Sequence, residues 1–192
     1  LSISKSESDE VLIKRVAVKN ESAFKELFSR YEQKIFNLVY RYIGSYSEAE
    51  ELTQDVFIQV YKSANKFRGE AKFSSWLYRI TVNICKNYKR RKQPVVKSLD
   101  NSNSETELLA HATTQPETIF KRKRKEEIIN QAIESLPPNQ RIAFILCKYE
   151  GHSYKEIAGI MKISVSAVES LLFRAKQQLK EKLMPYIEKG KI

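Results

Sequence analysis

The sequence predicts an all-α protein: two small helical domains joined by a flexible acidic linker, the C-terminal one a helix-turn-helix. Apolar residues recur at three- and four-residue steps through most of the chain. Glycine and proline number only five each among 192 residues, against ten Tyr and nine Phe. That balance suits long helices and disfavours a turn-rich all-β fold. Between about Val95 and Thr118 the periodicity stops and the composition turns to Ser, Asn, Thr and Glu, which marks a linker.

A short helix is expected near residues 9–18. Phe24, Leu27, Phe28, Tyr31, Ile35, Leu38, Val39 and Tyr42 then stripe a long helix that Gly44 ends. Ser47 is the expected N-cap of the next helix, whose apolar stripe is Leu52, Val56, Val60 and Ala64. Its other face carries Glu48, Glu51, Gln54 and Asp55. After a loop at 67–72, Phe73, Trp76, Leu77, Ile80, Ile84 and Tyr88 stripe a helix that runs into Lys89-Arg90-Arg91-Lys92. Pro94 is incompatible with its continuation. A second helical block starts around Phe120, is broken by Pro137-Pro138, and continues near 139–150, 153–162 and 165–187. The boundaries are therefore 1–94, a linker over 95–119, and 120–192.

Hydrophobic residues make up 42% of the chain, enough for packed cores. No apolar run approaches the ~20 residues that span a bilayer, and no signal peptide precedes the first helix, so a cytoplasmic location is expected. Cys85 and Cys147 sit far apart in apolar helical patterns and read as buried thiols of a reducing compartment. The two histidines, His111 and His152, have no cysteine at metal-ligand spacing. Neither a phosphate-binding Gly-rich loop nor a Ser-His-acid set is present. No cofactor, metal or catalytic residue is expected, and the chain does not read as an enzyme.

The formal net charge is +11 and is unevenly placed. Residues 71–125 carry 13 basic against 4 acidic side chains, a net +9, whereas residues 1–70 are neutral. A mid-chain concentration of that size is what a polyanionic partner requires, although a solubilising surface would look the same by charge alone. On the helix over 73–92, a 100° step places Arg79, Asn83, Lys86, Asn87 and Arg90 in one polar stripe, with Trp76 at its border. Cations there suit phosphates, and the two Asn offer paired donors and acceptors to base edges. Phe73 and Trp76 read first as core, although aromatics beside a loop also suit unstacked bases.

Tyr154–Leu171 fits a helix-turn-helix. Ile157 and Ala158 lie on the first helix, Met161 and Ile163 flank the turn, and Val168 and Leu171 pack the second helix back. Lys162 stands where many such turns have Gly. The second helix would offer Ser166, Glu169, Ser170, Arg174, Lys176 and Gln177 to a major groove. Glu169 has two readings. Ser166 to Glu169 is spaced as a capping box, which is slightly favoured. Alternatively, Glu169 accepts from a cytosine amino group.

Taken in order, these stretches resemble the extracytoplasmic-function sigma factors of bacterial RNA polymerase. Ala49-Glu50-Glu51-Leu52-Thr53-Gln54-Asp55-Val56-Phe57 is similar to that family's polymerase-clamp-binding helix. Phe67-Arg68-Gly69, followed by Phe73-Ser74-Ser75-Trp76-Leu77-Tyr78-Arg79-Ile80-Thr81-Val82-Asn83, is similar to its promoter-melting loop and helix. Tyr149-Glu150-Gly151-His152-Ser153-Tyr154-Lys155-Glu156-Ile157-Ala158, with Phe173-Arg174-Ala175-Lys176, resembles its DNA-reading C-terminal region.

The resemblance implies a sigma factor that directs core polymerase to promoters and assists melting, with the core's beta and beta-prime subunits and promoter DNA as partners. Glu51, Gln54 and Asp55 would dock on the clamp. The 67–72 loop, with Arg68 and Lys72, would hold a flipped minus-ten base, and Trp76, Arg79, Asn83, Asn87 and Arg90 would contact the adjoining DNA. Ser166, Glu169, Ser170, Phe173 and Arg174 would read the minus-thirty-five element. The acidic linker would thread toward the RNA exit channel. An anti-sigma partner, in many relatives membrane-anchored, is implied as well. The chain departs from the family at Glu169 and Leu171, where basic residues are common. The main rival is a stand-alone helix-turn-helix regulator that binds duplex without polymerase. It leaves the basic-aromatic helix and acidic linker without a role. A helical adaptor or anti-sigma-like regulator, the other rival, leaves the central +9 unexplained.

Overall fold

The computed structural model describes residues 7–92 and 116–188, with side chains described for 7–92 and 123–188. The helices in order are α1 (Asp9–Ala17), α2 (Glu21–Ile43), α3 (Tyr46–Ser63), α4 (Phe73–Lys92), α5 (Pro116–Glu134), α6 (Pro138–Lys148), α7 (Tyr154–Met161) and α8 (Val165–Glu188), with a 3₁₀ turn at Ala64–Lys66. The expected linker over 95–119 falls largely outside the described residues. α5 begins at Pro116, ahead of the expected start near Phe120.

α1 to α4 form the first half. Leu27, Ile35, Leu38 and Val39 on α2 are buried against Val56 and Val60 of α3 and Leu77 of α4. Each full burial of such a side chain stabilises by about 1.5–3 kcal/mol. Gly44 ends α2 at φ 90, donating its N–H to the Tyr40 carbonyl at 2.8 Å. The left-handed φ is what favours glycine there; a Cβ would also meet the Glu134 carboxylate of α5, an exposed side-chain end that can swing aside. The N-cap of α3 is Ser45, two residues before the expected Ser47; its Oγ accepts the Glu48 N–H at 3.5 Å. Both serines suit capping, and the close left-handed exit at Gly44 leaves room for only one linking residue.

The buried face of α4 is also rotated from expectation. Phe73 and Leu77 are buried as anticipated, but Tyr78, Thr81, Val82 and Cys85 join them, while Ile80 and Ile84 are only half-buried. At 100° per residue the face is turned by about 80° from the 73/77/80/84 stripe. Contacts with distant elements accompany that turn: α2, α3 and α7 all pack onto α4, and Glu150 and His152 meet Tyr78. Burial pushes the Cys85 thiol up to about 12, so this group behaves as a small apolar side chain.

The second half is α5 to α8. Pro137 and Pro138 separate α5 from α6, with Pro138 in the first turn, where its missing N–H costs nothing. Ile142, Ile145 and Leu146 of α6 form its core with Ile157 and Ile160 of α7 and with Val168, Leu172, Ala175 and Leu179 of α8. Leu172, and not the expected Leu171, takes the fully buried place beside Val168.

The two halves meet along a polar seam. Tyr78 donates its hydroxyl hydrogen to Glu150 Oε2 at 2.8 Å, and its ring lies edge-on to His152 at 4.5 Å. Arg79 Nη2 donates to the Gly159 carbonyl at 3.0 Å, and Arg141 Nη1 to the Tyr42 carbonyl at 2.8 Å. Arg41 stacks over Tyr149 at 4.3 Å. Arg79 Nε, Arg141 Nε and His152 Nε2 are buried here without a hydrogen-bond partner. Each such group opposes closure, so the seam is a contact of limited strength.

Candidate nucleic-acid interface

Three surfaces collect the residues singled out in the sequence. The first is the outer face of α3. Glu51, Gln54 and Asp55 are all exposed, one helical step from Ile58, which is 48% exposed. The positions i, i+3, i+4 and i+7 make one face, acidic with an apolar end. Opposite it, Leu52, Val56 and Val60 hold the helix in the core.

The second surface joins the 67–72 loop to α4. Arg68 and Lys72 are exposed on the loop, which Gly69 turns at φ 74. Phe67 is half-buried and packs edge-on to Trp76 at 5.5 Å and to Phe73 at 6.2 Å. Phe73 is fully buried, so it is core and is not available to a base, whereas Trp76 keeps an exposed part. The loop is anchored where α4 begins: Glu10 Oε1 of α1 accepts the Phe73 N–H at 3.2 Å, satisfying one free donor of that helix terminus.

Along α4, Asn83, Asn87 and Arg90 are exposed. Arg79 and Lys86 lie on the edge turned toward the seam and are half-buried. Desolvation there holds Lys86 below the ordinary lysine range. The expected stripe is thus split: three members face solvent, and Arg79 is engaged by the Gly159 carbonyl. The helix ends on Lys89, Arg90, Arg91 and Lys92. Lys89 Nζ donates to the Ile43 carbonyl at 3.3 Å and Lys92 pairs with Glu48, leaving Arg90 and Arg91 as exposed cations.

The third surface is the helix-turn-helix of α7 and α8. Ser153 and Glu156 form a reciprocal capping box at the start of α7. Ser153 is a residue that the sequence pattern had not singled out for this role. Those hydrogen bonds hold the Glu156 carboxyl below the usual range. The turn passes through Lys162 at φ 55 and ψ 50, the left-handed conformation that Gly adopts more readily. Lys162 is exposed, so the strain is conformational only.

α8 begins at Val165, and Ser164 is its cap: Ser164 Oγ accepts the Ala167 N–H at 3.1 Å. The capping box expected from Ser166 to Glu169 is therefore absent, because Ser166 already lies inside the helix. Ser166, Glu169, Ser170, Phe173 and Arg174 are all exposed on one face, opposite Val168, Leu172 and Ala175. Phe173 is 62% exposed, and with Glu169, Ser170 and Arg174 it lines an open groove of about 460 Å³.

Among the described residues no group of three or more His, Cys, Asp or Glu could hold a metal ion. No described helix is long and apolar enough to cross a membrane.

Comparison with known proteins matches both halves of the chain in order. Residues 27–95 match the model of sigma-70 region 2, and residues 126–179 that of sigma-70 region 4. The chain is 35% identical over 187 residues to the ECF RNA polymerase sigma-E factor of Escherichia coli (strain K12), covering 95% of this chain and 97% of that protein. It is 33% identical over 189 residues to the RNA polymerase sigma-H factor of Pseudomonas aeruginosa, covering 96% and 98%. Among solved structures, CnrH in complex with the cytosolic domain of CnrY superposes with a TM-score of 0.71 at 20% identity, over 93% of this chain and 99% of that one. The sigma factor RpoE in complex with the anti-sigma factor NepR, from Bartonella quintana, gives 0.63 at 20%, over 84% and 96%. These two share the fold. With the sequence relatives spanning nearly its whole length, the chain belongs to the extracytoplasmic-function sigma factors, the subunits that direct RNA polymerase to promoters.

Proposed function

We propose that the three surfaces divide the work of promoter opening. The α3 face of Glu51, Gln54 and Asp55 docks on the core polymerase. The 67–72 loop and the α4 edge capture and open the minus-ten element, with Arg68, Lys72, Trp76, Arg79, Asn83, Asn87 and Arg90. α8 holds the minus-thirty-five element through Ser166, Glu169, Ser170, Phe173 and Arg174. The chain performs no catalysis of its own; the bond-making chemistry belongs to the polymerase.

The observation that carries this reading is the open α4 edge. Asn83, Asn87 and Arg90 face solvent beside a basic, glycine-turned loop and a partly exposed Trp76. Unstacking costs a few kcal/mol per base step. A loop that holds one extruded base recovers that cost only at a matching sequence, which couples melting to recognition. Arg79 joins this surface when it leaves the Gly159 carbonyl, so promoter engagement separates the halves along the seam. Polymerase then supplies affinity by holding both halves at promoter spacing, which raises their effective concentration.

CnrH and RpoE were solved bound to CnrY and NepR. By that likeness, an anti-sigma partner is the regulator we assign to this chain, acting in the cytoplasm or, where the partner is membrane-anchored, at the membrane surface.

The test is Asn83→Ala in reconstituted holoenzyme. Core binding is expected to be retained, while permanganate reactivity of thymines in the promoter bubble falls. A normal bubble with the variant would remove α4 from the melting surface.

A further inference from the structure

The exposed face of α8 sorts its side chains by whether they are free to meet a base. Ser166 Oγ is 3.0 Å from Ser164 Oγ, within the cap itself. Ser170 Oγ donates to the Ser166 carbonyl at 3.0 Å, and Arg174 Nε donates to the Ser170 carbonyl at 3.2 Å. Three of the polar side chains are thus turned back on their own helix or its cap. Glu169 is exposed and makes no hydrogen bond or ion pair among the described residues. Ser164 has taken the capping role that would otherwise have occupied it.

A free carboxylate on a DNA-reading face has few partners. Phosphates repel it, so it cannot serve as a backbone clamp. The base-edge donors of the major groove are the amino groups of cytosine and adenine. The adenine amino group sits beside the N7 acceptor of its own base, whose lone pair opposes a second oxygen, whereas the cytosine amino group has the C5–H of its own base on that side. Cytosine is the better match. Phe173 follows at i+4, about 6 Å farther along the axis at 1.5 Å per residue. That spans about two base steps of 3.4 Å. Its exposed ring suits a thymine methyl group.

We propose that Glu169 sets the specificity of the upstream element by accepting from a cytosine amino group, and that Phe173 packs on a thymine methyl about two base pairs away. The inference rests on α8 being the upstream reader, as assigned above.

The experiment is transcription by reconstituted holoenzyme from a promoter library randomised across the upstream element, with the downstream element held constant. Wild type is expected to enrich cytosine at one position by about ten- to a hundred-fold, the range of a good base contact. Glu169→Gln should move that preference to adenine, because an amide reads N6 and N7 together. Glu169→Ala should flatten that position alone, and Phe173→Ala should flatten a thymine about two base pairs away. If wild type selects an upstream element but all variants select the same one, the base assignments are overturned and α8 keeps its general role. If wild type selects no upstream element at all, α8 is not the upstream reader, and the inference falls with that assignment.

Discussion

Tyr78→Phe tests the seam most selectively. The substitution keeps the ring, its burial and its edge-on contact with His152, and deletes only the hydroxyl that donates to Glu150 Oε2 at 2.8 Å. A hydrogen bond to a charged acceptor contributes about 1.5–3 kcal/mol. Glu150 is only half-buried, so water recovers part of its solvation, and the net loss is about 1–2 kcal/mol. At 1.4 kcal/mol per decade, the closed arrangement becomes about 5- to 30-fold less populated relative to the open one. Dyes placed through Lys25→Cys and Lys180→Cys, both exposed and one in each half, with Cys147→Ser to remove a half-buried thiol, would report the change as a longer mean separation. Affinity for core polymerase should rise in parallel, because less of the chain is held in the form that engages Arg79. Unchanged separation together with unchanged polymerase affinity would show that the seam does not hold the halves together.

Three further outcomes are expected. Gln54→Ala with Asp55→Ala should weaken competition for core polymerase by about tenfold with the urea midpoint unmoved, since both side chains are exposed on α3. Lys162→Gly should relieve the left-handed turn and stabilise by up to about 1 kcal/mol, after subtracting the larger backbone entropy of Gly in the unfolded chain. That appears as a higher urea midpoint. His152 carries a pH dependence. Burial holds it below its ordinary 6.5, against the opposing pull of Glu156 and Glu150, with Tyr78 facing it from α4 and Lys72 acting on Glu156. The folded chain therefore binds fewer protons at this site than the unfolded one. The stability it contributes is complete above about pH 6.5 and is lost as pH falls through the lower folded value. Urea titrations from pH 7 to 5.5 should show that loss, and His152→Gln should lessen it.

Much of this architecture was legible because local chemistry and tertiary packing agree. The apolar stripe of α2, its stop at Gly44, the break at Pro137-Pro138 and the two helices of the helix-turn-helix follow from short-range pattern alone. What local pattern missed depends on distant partners or on competition between neighbours. Periodicity centred the buried face of α4 on Ile80 and Ile84, because it carried no trace of the second half arriving on α4, where Glu150 and His152 meet Tyr78. Ser45 and Ser47, and likewise Ser164 and Ser166, are chemically equal caps; the position of the preceding turn chooses between them. The cap at Ser164 leaves the Glu169 carboxylate out of the helix start. The site residues showed the same division. Asn83, Asn87 and Arg90 lie open as the stripe implied, whereas Arg79 is held by a carbonyl 80 residues along the chain.

In the proposed division of labour one half opens DNA, the other grips it upstream, and polymerase spaces the two. Run-off transcription by core polymerase plus this chain tests that directly, on templates carrying either element alone, both, or both with five base pairs inserted between them. Initiation is expected only when both elements are present at their native separation, and a half-turn insertion should abolish it. Strong initiation from one element alone, or indifference to the insertion, would contradict it.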